Sequence, residues 1–399
     1  MQVRESARRR KRWTCEWRAD ENDRTNSAAA SGGLGELLRA EPLVAEGGEK
    51  EAVRKYYGET LENSDDLKTT ACLTPYAPHK IIKEALKAVP DEVKAKYYGC
   101  GSPTPLGIEG LNVLDLGSGS GRDCYVASAL VGPNGNVTGV DMTDQQLEVA
   151  NKYVDEYCTK TLGYDKPNMK FVKGEIEDLM AAGIQDNSMD LVISNCVVNL
   201  SPDKEAVLKE VYRVLATGGE FYFSDVYCDR RLPEHVRRHE VLLGECLAGA
   251  LYIEDFKRMC QKVGFTDPRV LTGHIIDVKD KDLKEVVGEA TFYSITYRLF
   301  KLPKHLETLC EDYGQVATYK GTLQGAAHAY ELDDHHKFVT GKPMLVCGNT
   351  AAMVGEDGLS WLSQHFEVMG DRSKHFGLFD GCGGPVSSTQ GMEVGGGCC

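Results

Sequence analysis

Four cysteines in loop-like, small-residue contexts are the residues of this 399-residue chain best suited to react. Cys72 lies in T-T-A-C-L-T-P, Cys100 in K-Y-Y-G-C-G-S-P, Cys196 in S-N-C-V-V-N-L and Cys246 in G-E-C-L-A-G-A. A thiolate is a nucleophile and a ligand for soft ions, so each is a reagent, a holder of one, or a buried apolar filler. Cys196 follows directly on the apolar run D-L-V-I-S-N, which places it at the carboxyl edge of a sheet, where open α/β folds bind ligands. A second constellation stands upstream in V-L-D-L-G-S-G-S-G-R-D, where Gly117, Gly119 and Gly121 follow a strand and Asp141 ends the next one, twenty positions after Gly121. Glycines let the chain turn tightly and bring N–H groups against a ligand, and an acid at that place accepts the hydroxyls of a ribose. A glycine turn alone is weak evidence. Strand, turn, helix, strand and acid in register predict adenosine binding.

The elements that position these residues alternate. NVLDL (112–116), GNVTGVD (135–141), MKFVKG (169–174), MDLVISN (189–195) and GEFYFSD (219–225) read as strands. DQQLEVANKYVDEYC (144–158) and KEAVLKEVYRVLATGG (204–219) read as helices, the latter stopping at Gly218-Gly219. Such alternation implies a doubly wound, mostly parallel sheet covered on both faces. After Asp225 the segment 232–265 reads as two helices joined by a Gly/Ala-rich turn. PRVLTGHIIDV and TFYSITYRLF then read as strands, and this smaller α+β unit closes near Phe300. From Leu306 the pattern loosens to short pieces such as KPMLVCG, a Gly-rich stretch and the ending GGGCC.

Composition narrows the class. There are 46 Lys+Arg against 60 Asp+Glu, a net charge of −14, which argues against a nucleic-acid partner. No apolar run approaches the ~20 residues needed to cross a bilayer, so a cytoplasmic protein without a membrane association is expected. The basic cluster Arg4, Arg8, Arg9, Arg10, Lys11 and Arg12 fits a targeting signal or plain disorder; nearby Glu16, Asp20, Glu21 and Asp23 do not suit an organelle transit peptide. Fourteen cysteines are too thinly spread for a disulfide scaffold. Cys124, Cys158 and Cys260 fall inside helical patterns and read as core filler; Cys15, Cys228, Cys310, Cys347 and Cys382 carry no assignment. Asp333-Asp334-His335-His336 reads as a solvated loop rather than a metal cluster, since adjacent ligands seldom converge on one ion. The terminal Cys398-Cys399 has three readings, a capture dithiol, a prenylation target or a frayed tail.

The spacing D-x-G-x-G-x-G, from Asp115 to Gly121, differs from the dinucleotide G-x-G-x-x-G and resembles the first motif of class I S-adenosylmethionine methyltransferases. That resemblance implies a cofactor held by Asp115 near its ammonium, by the loop Gly117, Ser118, Gly119, Gly121 and Arg122, by Asp141 at the ribose and by Met142 on the adenine. It also puts Glu175 and Ile176 at the adenine edge, Asn195 at the methionine part and Tyr98 over the cofactor. Many methyltransferases place a general base near the end of the fourth strand; here there is Cys196, either methylated itself or holding something that is. K-Y-Y-G-C-G, L-D-L-G-S-G-S-G-R-D-C-Y-V, S-N-C-V-V-N-L, Y-F-S-D-V-Y and G-E-C-L-A-G-A-L-Y together resemble the arsenite S-adenosylmethionine methyltransferases, over about residues 49 to 301.

The resemblance implies an extension (1–48), a cofactor-binding methyltransferase domain (49–228), an arsenite-binding domain (229–305) and a C-terminal region (306–399). It implies As(III) held by Cys196 and Cys246, with Cys100, another thiol or a small ligand as the third. The arsenic lone pair then attacks the sulfonium methyl, giving mono-, di- and trimethylated arsenic. Cys72 and Cys100 would form a disulfide that thioredoxin or glutathione reopens, in a monomeric detoxifying enzyme with no resident metal. Two rivals stand beside it. A methyltransferase with a carbon, oxygen or selenium acceptor would need no arsenic, and a sensor would bind arsenite and cofactor without methyl transfer.

Overall fold

Alternating apolar residues on both faces of each strand build the centre of the molecule. The computed structural model describes residues 44, 47–56, 78–97, 99 and 103–380. Cys15, Cys72, Tyr98, Cys100, Cys382, Cys398 and Cys399, and the basic cluster at residues 4–12, lie outside the described residues. The strands are β1 (Asn112–Leu116), β2 (Asn136–Asp141), β3 (Met169–Lys173), β4 (Met189–Asn195), β5 (Leu215–Cys228), β6 (Leu251–Tyr252), β7 (Arg269–Ile276) and β8 (Phe292–Phe300). They form one sheet in the order β3-β2-β1-β4-β5-β8-β7, with β6 beside β5. Pairings from β3 across to β5 are parallel; β8 runs antiparallel to both β5 and β7. The doubly wound class I methyltransferase fold is therefore present. Of the stretch 229–305, β7 and β8 complete the central sheet.

Successive side chains leave a strand on opposite faces, so each strand feeds two cores. Val113, Leu191 and Ile193 pack with Tyr125 and Val126 on one face. Leu114, Leu116 and Val192 pack with Val207, Val211 and Phe256 on the other. Helix α1 (Glu49–Lys55) packs through Val53 in a third core with Cys196 and Cys246; α2 (Lys80–Ala88), α3 (Asp91–Ala95), α4 (Arg122–Val131), α5 (Asp144–Lys152) and the single turn α6 (Val154–Glu156) flank the first face. The chain continues through α7 (Lys204–Val214), α8 (Glu234–Arg237), α9 (Glu240–Gly244), α10 (Ile253–Val263), α11 (Lys281–Val287) and α12 (Gly348–Val354). Cys124, Cys158 and Cys260 are fully buried in these cores, as filler should be. No described helix is long and apolar enough to cross a membrane.

Three expected elements differ. The helix read to run to Gly219 stops at Val214, because Leu215 turns extended and opens β5. Gly218 serves a different purpose: it sits at φ +85°, and a Cβ there would meet the Leu359 carbonyl oxygen at 1.8 Å. The 144–158 helix breaks after Lys152 and resumes as α6 and a π turn, Tyr157–Thr161. Between 232 and 265 there are three helices, not two, since His239 goes extended and its ring accepts the Leu242 N–H, starting a new helix.

The C-terminal region has its own core around Tyr319, Phe338 and Phe366. Its strands are β9 (Glu311–Asp312), β10 (Gln315–Tyr319), β11 (Ala329–Glu331), β12 (Lys337–Val339), β13 (Met344–Val346), β14 (Phe366–Met369) and β15 (Gly377–Leu378). Two buried charge clusters attach it to the sheet. Arg298 of β8 donates to both carboxylate oxygens of Glu220 at 2.6 and 2.9 Å, to the Tyr330 hydroxyl at 2.8 Å and to the Leu332 carbonyl at 3.0 Å. Trp361 adds an indole N–H to Glu220 at 3.1 Å.

The second cluster corrects the reading of Asp333 to His336 as a solvated loop for two of the four residues: Asp334 and His335 are exposed, but Asp333 and His336 are buried. Asp333 is buried, accepting from Arg269 at 2.8 Å, from the His336 ring at 2.8 Å and from the His335 and His336 N–H groups. Asp333, Asp334 and His335 bring ligand atoms within 4.8 Å of one another, but Arg269 already supplies the countercharge. Burial alone would raise the Asp333 pKa. The hydrogen bond from His336 and the Arg269 charge outweigh it and hold the carboxyl well below its ordinary range. A carboxylate depressed on folding stabilises the fold above its unfolded pKa of about 3.9 and loses that contribution as pH falls through the folded value. The melting temperature should therefore drop steeply below about pH 4. Asp333→Asn should melt lower at neutral pH and lose less over the same acid window, which thermal unfolding against pH would check.

Candidate active site

A cleft with about 1000 Å³ of non-atom space, counting its open mouth, lies at the carboxyl ends of β1, β2 and β4. The chain after β1 folds into the glycine loop because Gly117, Gly119 and Gly121 take φ of +63°, +51° and +92°, values glycine adopts at no steric cost. At Gly119 the space is open: the nearest atom to a Cβ there would be Gln146 Oε1 at 3.9 Å, so the loop leaves room for a ligand over its backbone. Gly121 has another duty. A Cβ there would meet the Phe171 ring at 2.6 Å, so this glycine lets α4 pack close to β3.

Of the residues expected to hold a cofactor, Asp115, Gly117, Ser118, Gly119, Asp141, Met142, Glu175, Ile176 and Asn195 line the cleft, together with Cys196. Gly121 and Arg122 are not among the lining residues. The Arg122 guanidinium lies on the Tyr97 ring, 3.1 Å from its centroid, and donates twice to Asp123 at 2.6 and 2.9 Å. Tyr97, Asp123, Thr143, Gln146 and Lys50 line the cleft without having been singled out from sequence. Asp123 was the most accessible of these, as an acid in the first turn of the helix after the glycine loop.

The electrostatics favour a cation. Asp115, Asp123 and Asp141 are all buried at the cleft. Burial, with the neighbouring Asp123 charge second, pushes the Asp115 carboxyl well above its usual range. Burial raises Asp141 too, partly offset by N–H groups of Thr143 and Gly119, each at 2.8 Å. The Thr143 side chain and the Met142 N–H also donate to Asp141, so its carboxylate is held in place at the end of β2. S-adenosylmethionine, implied by the resemblance, carries a sulfonium and an ammonium, and a buried carboxylate is stabilised by such charges. The Ser118 hydroxyl is buried without a partner among the described atoms and also faces this space. Asn195 donates to Asp123 at 3.0 Å and to the Tyr97 hydroxyl, joining the end of β4 to the cleft wall. The residues present fit the cofactor.

Helix α1 covers the side of the cleft lined by Glu175 and Ile176. Lys50 reaches Glu175 at 2.6 Å and Glu177 at 3.2 Å, and Val53 lines the cleft one turn on. As a part-exposed pair, this clasp contributes at most about 1 kcal/mol.

The cysteines stand at the other wall. Cys196 follows β4, its N–H donating to the Ser224 carbonyl of β5 at 2.9 Å. Cys246 follows α9, fully buried, and its thiol donates to the Cys196 carbonyl at 3.3 Å. Cys246 does not itself line the cleft. Both residues take left-handed backbone, φ +57° and +63°, and only Asn187 and Lys304 join them among described non-glycine residues. Such conformations cost about 1–3 kcal/mol each and persist where the surroundings impose them. Cys196 is half of a disulfide, and the seven other described cysteines carry thiols.

The sequence of residues 108–264 matches a family model described as a methyltransferase domain. An arsenite methyltransferase of Aquipseudomonas alcaligenes is 51% identical over 351 residues, which cover 88% of this chain and 99% of that one. The chain belongs to the arsenite methyltransferase family. The human arsenite methyltransferase is 48% identical over 303 residues, covering 76% of this chain and 80% of the human one. A crystal structure of an arsenic(III) S-adenosylmethionine methyltransferase from Chlamydomonas reinhardtii superposes with a TM-score of 0.74 at 64% identity, covering 76% of this chain and all of the algal chain.

Proposed function

We propose that this enzyme transfers methyl groups from S-adenosylmethionine to arsenite held by the Cys196 and Cys246 sulfurs. The observation that carries the reading is the contact of the Cys246 thiol with the Cys196 carbonyl, beside a cleft whose buried carboxylates suit a cationic cofactor. When bound, S-adenosylmethionine supplies an electrophilic methyl group on a sulfonium. Asp115, Ser118, Asp141, Met142 and Asn195 hold and orient it, and α1 excludes water from its adenine side. The protein's task toward arsenic is to present it on thiolates, which leave its lone pair free, so no base is needed. Proximity and orientation then supply several kcal/mol of the ~7–11 available to well-placed reactants.

Gain of a methyl cation takes arsenic formally from III to V, so two electrons must return from a dithiol, which becomes a disulfide. Cys72 and Cys100 serve that cycle in our reading, with thioredoxin or glutathione as the external reductant; Cys196, half of a disulfide here, must itself be reduced before its sulfur can hold arsenic. Residues 49–228 supply the cofactor half and 229–305 the second arsenic ligand. A monomer acting in the cytoplasm in arsenic detoxification completes the proposal. The test is to incubate purified protein with S-adenosylmethionine, arsenite and a thiol reductant, and to separate the arsenic species. Mono- and dimethylated arsenic are expected; folded, cofactor-binding protein that makes none would sink the reading.

A further inference from the structure

The two cysteine-bearing turns are not held by their own contact alone, since a single weak S–H bond would not fix their spacing. Between them lies Asn199, buried in the short 3-10 turn Val198–Leu200 that follows Cys196. Its backbone N–H donates to Asp225 Oδ2 at 3.0 Å, and its side-chain amide donates to the Val226 carbonyl. Asp225 also takes the Val226 N–H at 2.8 Å and a backbone bond from Val198. The turn carrying Cys196 is thereby pinned to the end of β5.

The turn carrying Cys246 rests on the same residue from the other side. A Cβ at Gly249 would fall 1.9 Å from the Asn199 carbonyl oxygen and 2.8 Å from its carbon. Gly249 is not among the glycines in the left-handed region, so its backbone does not require glycine; the space does. The obstacle is main chain, which cannot swing aside as a side chain would. The loop also closes on itself through Leu247 and Ala248 N–H bonds to the Leu242 carbonyl, each at 2.9 Å. Any displacement at Gly249 is therefore passed to Cys246, three residues earlier.

We propose that Asn199, anchored by Asp225 and abutted by Gly249, is the positioning residue that sets the spacing of the two arsenic-binding sulfurs. This rests on the reading that Cys196 and Cys246 hold arsenite. Gly249→Ala wedges the turns apart; Asn199→Ala removes the amide pin to β5 while keeping the backbone bond to Asp225. Neither residue is placed in the cofactor cleft, so cofactor affinity serves as the control.

The experiment uses the full chain, reduced and loaded with arsenite, and reads the number of sulfurs on arsenic by X-ray absorption alongside kcat/KM and the Kd for S-adenosylmethionine. For Gly249→Ala the expected result is the loss of at least one arsenic-sulfur bond and a fall of about tenfold or more in kcat/KM, with cofactor Kd within about twofold. Asn199→Ala should give a smaller fall in the same direction, and it decides the matter if Gly249→Ala does not fold. Wild-type sulfur coordination and kcat/KM in a folded variant would overturn the proposal. Wild-type protein that shows no arsenic-sulfur bonds, or bonds unaffected by Cys196→Ser and Cys246→Ser, would instead overturn the underlying reading.

Discussion

Replacing Cys246 by serine should abolish arsenite methylation, lowering kcat/KM by about a thousandfold or more, or roughly 4 kcal/mol of transition-state stabilisation. A hydroxyl is a poor ligand for a soft, thiophilic centre, so the arsenic would be held by fewer sulfurs and lose its orientation toward the cleft. Cofactor binding should survive, because the buried Cys246 side chain does not line the cleft. Cys196→Ser should be as damaging to methylation and should alter cofactor affinity as well, since Cys196 does line it. Separating arsenic species after a fixed incubation, with isothermal titration of S-adenosylmethionine in parallel, distinguishes the two residues. Undiminished methylation by either variant would remove that cysteine from the site.

The second large effect concerns the fold. Glu220→Ala should destabilise the protein by about 3–5 kcal/mol, because it leaves the Arg298 guanidinium buried and stripped of its carboxylate. The indole of Trp361 would lose its acceptor at the same time. Adding Arg298→Met to Glu220→Ala should recover part of the loss, since an apolar side chain of similar length needs no countercharge. Denaturant unfolding of the four proteins in a double-mutant cycle gives the coupling directly. Additive losses would mean that the pair contributes packing rather than charge compensation.

Features written in contiguous residues were legible in the sequence; those completed by distant partners were not. The glycine loop, Asp141 and Cys196 each sit on a strand end that the hydrophobic pattern locates, so their convergence followed from the alternation itself. Cys124, Cys158 and Cys260 were recognisable as filler because helical spacing puts them on apolar faces. Gly218 was read as a helix stop because its true neighbour, Leu359, lies far along the chain. Asp333 looked solvated for the same reason: nothing local announces Arg269, whose charge buries it. Tyr97 stood unmarked because nothing near it in sequence announces Arg122 and Asn195, the partners of its ring and hydroxyl.

The pairing of β5 with β8 sets the order in which this enzyme can be made. Leu215–Cys228 finds its antiparallel neighbour only in Phe292–Phe300, with the whole Cys246 loop between them. On the ribosome, where chains grow at about 5–20 residues per second, the glycine loop and its first four strands emerge and can close well before that neighbour exists. The loop carrying Cys246 leads straight into β6, which pairs with the end of β5, while the antiparallel neighbour of β5 still has to be made. A nascent chain can thus close the glycine-loop end of its sheet before the strand that covers the far side of β5 exists.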